Sequence, residues 1–339
     1  NGAKHSDSLN FGIIGNCKSA ALINEDSSID WCCLPQFDSP SVFGKILDEN
    51  IGGQFKISCD ENYGISQFYI ENTGILCTRF SNGDDAFEVI DYMPRYKKDD
   101  NVHYAPPEIT RVLKHLKGAP KYRVIYDPRL EYAVGETKNY VKEHFLVSVV
   151  DDKNYDTLFL YTDLDKNAIL NATELTLTQD HFMNVSYNEK IQTPTLDHTL
   201  FEFERTKVYW LNWCHKTPSF EHYNEEILRS AMTLKLLTFE KTGAVLAAAT
   251  TSLPETIGEV RNWDYRFCWI RDASMVIKVI AKLGHTQIVK NFIRYIIDLV
   301  PDKNEKLQIM YGISGEKTLI RPRRPTETEP ARDGSFIIF

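Results

Sequence analysis

The chain has 339 residues, of which 42% are hydrophobic and 25% charged, a balance typical of a folded protein and long enough for two domains. Its 39 Lys and Arg residues against 47 Asp and Glu residues give a formal net charge of -8, which argues against nucleic acid or an anionic membrane as a partner. No apolar run approaches the roughly 20 residues that span a bilayer, and the first residues lack the apolar segment of a secretion signal, so a cytoplasmic location is expected.

Cysteine and histidine usage gives no sign of a disulfide framework or a metal site. The seven cysteines are an odd number without a CxxC pair, which predicts reduced, mostly buried thiols. The nine histidines show neither HxH nor HxxxH spacing, so no metal is expected.

The first part of the chain, residues 1–215, is dominated by short alternating or β-branched runs separated by Gly, Asn, Asp and Pro. Such runs, with turn signals such as Asn82-Gly83-Asp84 between them, are typical of antiparallel strands and predict a large β-sandwich. The runs cover residues 54–58, 64–70, 75–80, 86–92, 122–126, 144–150, 157–161 and 199–203.

The apolar period changes near residue 221, which places a domain boundary at 215–222. One helix is predicted over residues 223–237 with Gly243 as its stop, a second from Asp272 to Gly284, and a third over residues 286–299. Residues 216–245 are therefore assigned to a linker with the first helix, and 246–319 to a further helical domain. The tail, 320–339, has three prolines and alternating charge and is expected to be irregular.

The densest candidate for chemistry is the segment RNWDYRFCWIRD, residues 261–272, at the start of the second helix. Flat aromatic rings can cover the apolar face of a sugar, and Asp and Arg can hold its hydroxyls, so the mixture favours a neutral polyol. The alternative interpretation is structural: Asp272 caps its helix, Arg266 or Arg271 pairs with Asp264, and the tryptophans belong to the core.

Several motifs, in order and spacing, resemble the bacterial and archaeal glucoamylase-like or trehalase-like proteins of glycoside hydrolase family 15. The resemblance spans about residues 9 to 319, and its agreement over several long motifs makes it specific. The motifs read IGNCKSAAL (14–22), SIDW (28–31), LP (34–35), FDSPSVF (37–43), TGA (242–244), ATTSLPE (249–255), NWDYRFCWIRD (262–272) and MYGISGEKTL (310–319).

The resemblance implies a multidomain β plus α architecture, in which an N-terminal super-β-sandwich is followed by the first helices of an (α/α)6 barrel. It implies hydrolysis of terminal α-glucosidic bonds with inversion by two carboxyl groups, without a cofactor, and an α-glucan or α-linked disaccharide such as trehalose as the partner. In the family's Trp-x-Arg-Asp motif the last two residues hold sugar hydroxyls. This role falls on Arg271 and Asp272, with Trp269 and Tyr265 lining the same subsite.

Two other acidic motifs have a structural interpretation that is favoured over a role toward sugar. Asp38-Ser39-Pro40 is an ordinary turn sequence, although its loop could also face the sugar. Glu255 is expected to be a loop partner, because the family's catalytic acid and base lie in later segments of the barrel.

The family pattern is lost after Leu319, where the chain turns to a proline-rich and charged tail. A twelve-helix barrel needs about 200 residues, so the barrel is expected to be truncated, and no catalytic residue can be named. Apolar helix faces that the missing barrel would cover are expected to favour self-association.

Two alternatives to a hydrolase stay open at this point. One is a non-catalytic carbohydrate-binding or interaction remnant. The other is an inverting α-glucoside phosphorylase, which would need a basic pocket rich in Gly or Ser for phosphate, and the sequence offers no clear candidate.

Overall fold

The computed structural model describes residues 10–98, 102–150, 156–251, 263–300 and 306–319, which contain 19 strands and six helices. The strands are β1 (Phe11–Gly15), β2 (Ala20–Asn24), β3 (Ser28–Cys33), β4 (Ser41–Phe43), β5 (Gln54–Ser58), β6 (Gly64–Tyr69), β7 (Leu76–Ser81), β8 (Ala86–Tyr92), β9 (Tyr96–Lys97), β10 (His103–Tyr104), β11 (Glu108–Lys117), β12 (Lys121–Asp127), β13 (Thr137–Val141), β14 (Phe145–Val150), β15 (Thr157–Thr162), β16 (Leu175–Thr176), β17 (His181–Tyr187), β18 (Cys268–Trp269) and β19 (Met310–Tyr311). The helices are α1 (Leu130–Ala133), α2 (Lys166–Leu170), α3 (Leu196–Cys214), α4 (Asn224–Leu236), α5 (Ile270–Lys282) and α6 (Thr286–Leu299).

Two large antiparallel sheets form the N-terminal region. The first has the order β1-β2-β3-β5-β12-β16, with β4 also paired to β3, and the second has the order β13-β14-β15-β17-β11-β8-β7-β6. Short β9 and β10 pair with each other, as do β18 and β19.

The two sheets share one core, which makes this region a β-sandwich. Strands such as β5 and β12 alternate buried and more exposed positions, so that one face of each points inward. Phe55 and Val124 from the first sheet and Val89 and Leu160 from the second belong to the same buried cluster. The predicted sandwich is therefore confirmed, and seven of its eight predicted runs are strands in the structure.

The eighth run, residues 199–203, was predicted as a strand, and that prediction is wrong because these residues lie inside helix α3. The Thr195 side chain accepts a hydrogen bond from the backbone N–H of His198 and caps the helix. Leu196, Leu200 and Phe203 recur at helical spacing and pack on the outer face of the second sheet. The alternating pattern that suggested a strand also satisfies this helical period.

The three predicted helices of the second half are confirmed as α4, α5 and α6. Helix α5 begins at Ile270, two residues before the predicted Asp272, and Gly284 follows its end with a φ of 82°, the left-handed conformation common after helices. Gly243 does not stop α4, which ends at Leu236. Its φ is 88°, and an added Cβ would lie 2.6 Å from the backbone of Asn291 in α6, so glycine is required there for close approach.

A second buried cluster holds the helices together and extends beyond them. It includes Phe292 of α6 and Met232 of α4, but also Trp210 of α3 and Ala20 and Phe37 from the sandwich. The helical region is therefore packed against the sandwich along a continuous apolar contact.

Candidate functional site

The residues of the aromatic segment meet around a cavity of about 260 Å³. Its lining consists of Trp263, Tyr265, Trp269, Arg271, Ile309 and Met310. All four residues predicted to face a sugar lie in this short segment, and three of them, Tyr265, Trp269 and Arg271, line the cavity.

The cavity is shaped by a short strand pair at the start of α5. In the β18–β19 ladder Trp269 lies opposite Met310, and the backbone N–H of Ile270 donates to the carbonyl of Ile309 at 3.0 Å. Helix α5 begins immediately after β18, which places Arg271 in its first turn. Ile309 and Met310 thus form a wall of the cavity next to Trp269.

Three aromatic rings lie at angles to one another beside the cavity. The Trp263 and Trp269 rings are 6.2 Å apart and nearly perpendicular, and the Tyr265 and Trp269 rings are 6.3 Å apart at 35°. The indole N–H of Trp269 donates to the carbonyl of Asp264 at 3.4 Å. Neither tryptophan is fully buried, so the interpretation that both belong only to the core is wrong.

Asp272 does not cap its helix, which overturns the structural interpretation of this residue. The N-cap position of α5 is Trp269, and no side chain caps the helix end. Asp272 instead forms an ion pair with Arg271, whose Nη2 lies 3.0 Å from Asp272 Oδ2. Asp272 does not itself line the cavity, and apart from this ion pair its Oδ2 has no hydrogen-bond partner among the described residues.

Arg266 is the arginine that pairs with Asp264, as the structural interpretation predicted. Its Nη2 lies 2.7 Å from Asp264 Oδ2 and its Nε lies 3.0 Å from Asp264 Oδ1. The side chain is 1% exposed and reaches away from the cavity into the sandwich. Arg266 is therefore a buried contact residue, whereas Arg271 is exposed at the rim.

The turn interpretation of Asp38-Ser39-Pro40 agrees with the structure. The Ser39 side chain accepts a hydrogen bond from the backbone N–H of Gln36, and the Ser39 N–H donates to the Gln36 carbonyl. Burial raises the pKa of Asp38, and the negative charges of Glu316 and Asp264 raise it further. Glu255 and the tail, 320–339, lie outside the described residues.

The described part of the chain has neither a metal-binding cluster nor a membrane-spanning helix. No group of three His, Cys, Asp or Glu side chains in the described ranges could hold a metal ion. None of the helices that the structure describes is both long and apolar enough to cross a membrane. Six of the seven cysteines are buried and all seven are free thiols.

The wall formed by Ile309 and Met310 was not predicted from the sequence. The segment 310–319 was recognised as part of the family resemblance, but its pairing with residues 268–269 joins positions more than 40 residues apart. Ordinary apolar residues at such a distance carry no local signal that places them in a cavity.

Comparison with known proteins agrees with this architecture. The trehalase-like N-terminal family matches residues 2–153, and glycosyl hydrolases family 15 matches residues 221–330, which extends past Leu319, where the recognised motifs end. A sugar-hydrolase family is thus matched by the segment that contains the cavity. Residues 221–330 are thus similar to glycoside hydrolase family 15, and residues 2–153 to the N-terminal region of trehalase-like proteins.

Individual relatives are similar along most of this chain. It is 31% identical to a trehalase of Thermoplasma volcanium over 318 residues, 91% of this chain and 50% of the relative. It is 30% identical to a trehalase of Thermoplasma acidophilum, over 88% of this chain and 52% of the relative. A trehalase of Mycolicibacterium smegmatis is 30% identical over 91% of this chain and 50% of the relative. The chain spans about half the length of the curated relatives it matches.

Proposed function

We propose that this chain contains the sugar-binding part of a glycosidase that hydrolyses the α-glucosidic bond of trehalose or a related α-glucoside. The observation that carries the proposal is the aromatic cavity lined by Arg271, which is ion-paired with Asp272, inside the segment matched by family 15. Relatives named trehalases favour trehalose over longer α-glucans as the first substrate to test.

The chemistry of the cavity supports a neutral sugar as the ligand. Trp269 and Tyr265 offer ring faces for the C–H groups of a pyranose, and Ile309 and Met310 add apolar surface to the same cavity. The exposed guanidinium of Arg271 can donate to sugar hydroxyls, while the carboxylate of Asp272, which is ion-paired with Arg271, can accept from one. Because the two charges already neutralise each other, an uncharged polyol suits the site better than an anion.

We further propose that residues 1–319 supply binding and not the acid and base of the inverting mechanism. Inversion needs two carboxyl groups about 6.5–9.5 Å apart across the scissile bond. Among the described residues no carboxylate lines this cavity, so no acid and base pair is assigned.

The helices are proposed to be the first ones of an (α/α)6 barrel. Met275 and Val279 on α5 and Ile293 and Ile297 on α6 are all at least 46% exposed, so each helix keeps an apolar stripe that further helices could cover. On this proposal residues 1–215 form the sandwich region, 216–245 a linker with α4, and 246–319 part of the barrel.

The test is the affinity of the purified chain for trehalose, measured by isothermal titration calorimetry together with an assay of glucose release. Asp272→Asn and Arg271→Ala should each raise the Kd about 10- to 150-fold, because losing a charged hydrogen bond costs about 1.5–3 kcal/mol. Asp298→Asn and Arg294→Ala are matched controls on the exposed surface of α6 and should leave Kd unchanged.

Three outcomes separate the hypotheses. Binding without glucose release supports a binding part whose catalytic pair lies elsewhere. Binding with glucose release would show that residues of this chain include the acid and base. Absence of trehalose binding, or equal affinity of the Asp272→Asn variant, would contradict the proposed site.

A further inference from the structure

We propose that Arg266 and Asp264 are positioning residues through which the β-sandwich fixes the geometry of the sugar cavity. The inference rests on the proposed function and deepens it. It assigns the sandwich a part in sugar binding although no sandwich residue lines the cavity.

The Arg266 side chain inserts into the sandwich region. Arg266 lies between Tyr265 and Trp269 in sequence, but its side chain is buried in the opposite direction from the cavity. Its Nη1 donates to the Ser39 carbonyl at 2.8 Å and to the Phe37 carbonyl at 3.4 Å. Both carbonyls belong to the loop between β3 and β4, so the guanidinium is held by backbone of the first sheet.

Asp264 connects the buried Arg266 to Trp269 on the cavity wall. The Asp264 carboxylate accepts hydrogen bonds from both Nε and Nη2 of the guanidinium. It also accepts one from the backbone N–H of Arg266 at 3.0 Å. The carbonyl of the same Asp264 accepts from the indole N–H of Trp269. One bonded path therefore runs from the Ser39 carbonyl through Arg266 and Asp264 to a ring that lines the cavity.

Two aromatic rings of the sandwich region lie near the Arg266 guanidinium. The Trp31 ring centre lies 6.0 Å and the Tyr132 ring centre 5.7 Å from the Arg266 carbon. The Trp31 indole N–H also donates to the Ala249 carbonyl at 2.9 Å. Ala249 lies two residues before Thr251, which forms a β-bridge with Asp264, so this is a second contact between the sandwich and the neighbourhood of the cavity.

Tyr132, whose ring lies near Arg266, belongs to a segment with strained backbone conformation. In α1, Glu131, Tyr132 and Ala133 have φ values of 53°, 57° and 60°, three consecutive non-glycine residues in the left-handed region. Such strain persists only where the surroundings determine it, and it tends to cluster at functional sites. The Tyr132 hydroxyl reaches the Ser39 carbonyl at 3.4 Å, which is the same carbonyl that accepts from Arg266.

The test replaces Arg266 by Lys in the full chain. Lysine keeps the positive charge but cannot reproduce the planar fork that binds a carboxylate and two carbonyls together. The matched control is Arg111→Lys. Arg111 is an equally buried arginine that binds Asp91 and the Phe55 carbonyl in the sandwich core, and neither of these partners lines the cavity.

We expect Arg266→Lys to raise the Kd for trehalose at least about tenfold, as misplaced binding groups do. The control should lower the melting temperature without changing Kd. A second readout needs no ligand: with all five tryptophans labelled as 5-fluorotryptophan, the ¹⁹F resonances of Trp263 and Trp269 should shift in Arg266→Lys and not in Arg111→Lys. Trp263→Phe and Trp269→Phe assign those resonances.

Unchanged Trp263 and Trp269 resonances in Arg266→Lys would overturn the inference, as would unchanged Kd. If Arg266→Lys does not fold, Asp264→Asn gives the same comparison, because it removes the charge while keeping the shape. If the wild-type chain does not bind trehalose, the proposed function fails, and the ¹⁹F shifts alone decide whether the sandwich positions the cavity.

Discussion

The β-sandwich and the helical region bury their apolar side chains in different ways. In the sandwich two sheets face each other, and residues such as Phe55 and Val89 are fully enclosed between them. The helical cluster is completed only by contributions from elsewhere, including Phe37 from the sandwich and Trp210 and Trp213 from α3. The sandwich therefore satisfies its own inner faces, whereas the helices depend on their neighbours.

The difference is also visible on the outer side of the helices. Ile288 and Phe292 of α6 are buried toward the cluster, while Ile293 and Ile297 are 51% and 62% exposed. A helix of a closed domain normally buries its whole apolar stripe. The helical region thus has one covered face and one uncovered face among the described residues, and the sandwich has no counterpart of this asymmetry in its core.

The buried polar groups differ in the same manner. In the sandwich, Arg111 and Asp91 are completely buried, and Arg111 also donates to the Phe55 carbonyl and to Ser27 of the opposite sheet. Where the helices meet α3, the buried polar contact is a neutral one, between His285 and Thr217. Loss of the first should therefore affect stability more than loss of the second.

The largest effect is expected for Arg111→Ala, which tests whether the sandwich depends on its own internal contacts. The variant leaves the Asp91 carboxylate buried without a cation and should lower the free energy of unfolding by about 3–5 kcal/mol. Urea denaturation followed by far-UV circular dichroism measures the loss. The double variant Arg111→Met with Asp91→Leu should recover most of it, and a loss below about 1 kcal/mol would show that the pair is not decisive.

The next prediction concerns the pH dependence of the contact between the sandwich and α3. Burial, together with the nearby charge of Glu202, raises the pKa of Glu108 from 4.5 to about 7, although a hydrogen bond from Asn184 opposes the shift. The folded state therefore binds the proton more tightly. The stability that Glu108 contributes is present in full below pH 4.5 and is lost as pH rises through about 7, by up to about 3 kcal/mol in the free energy of unfolding.

The urea midpoint measured at pH 5 and pH 8 checks this prediction. Glu108→Gln should remove the dependence on pH between these values and should be more stable than the wild type at pH 8. An equal change of midpoint in both proteins would assign the pH dependence to other groups.

Local patterns in the sequence predicted much of this fold, and the exceptions have physical causes. Residues 54–58 and 86–92 were predicted as strands and form β5 and β8, because alternation along a strand is a local property. Residues 199–203 fit both a strand and a helical period, and packing on the second sheet decides for the helix. The left-handed turn at Glu131 has no sequence signal, since it is imposed by its surroundings.

The candidate site shows the same division. Tyr265, Trp269 and Arg271 were predicted from chemistry and family resemblance, and they line the cavity. Asp264 was also predicted as a possible ion-pair partner of Arg266. The hydrogen bond from Arg266 to the Ser39 carbonyl could not be predicted, because it joins positions 227 residues apart.

A smaller effect with the opposite pH dependence is expected where the helices meet α3. His285 stacks on Trp213 at 4.0 Å, and burial, with the charges of Lys235 and Lys216, lowers its pKa from 6.5 to about 4. The unfolded state therefore binds the proton more tightly. The stability that His285 contributes is present above pH 6.5 and lost as pH falls toward 4, by about 1–3 kcal/mol.

Protection factors of the α6 amides, from hydrogen exchange at pH 7 and pH 5 corrected for the intrinsic exchange rate at each pH, measure this loss in the helical region alone. His285→Phe keeps an aromatic ring on Trp213 and should remove the difference between the two protection factors. Lower protection at pH 5 in that variant as well would contradict the role of His285. Because Glu108 responds in the other direction, the two regions should be separable by pH.

The smallest effect is expected on the uncovered face of α6. Ile297→Ser replaces a residue that is 62% exposed and should change the free energy of unfolding by less than about 0.5 kcal/mol. Ile288→Val, on the buried face of the same helix, should cost about 0.5–1.5 kcal/mol despite being the milder substitution. Light scattering at increasing concentration should show less self-association for Ile297→Ser than for the wild type, because an exposed apolar stripe promotes association. A loss above about 1 kcal/mol in Ile297→Ser would mean that this face is covered in solution, and the contrast between the two regions would then disappear.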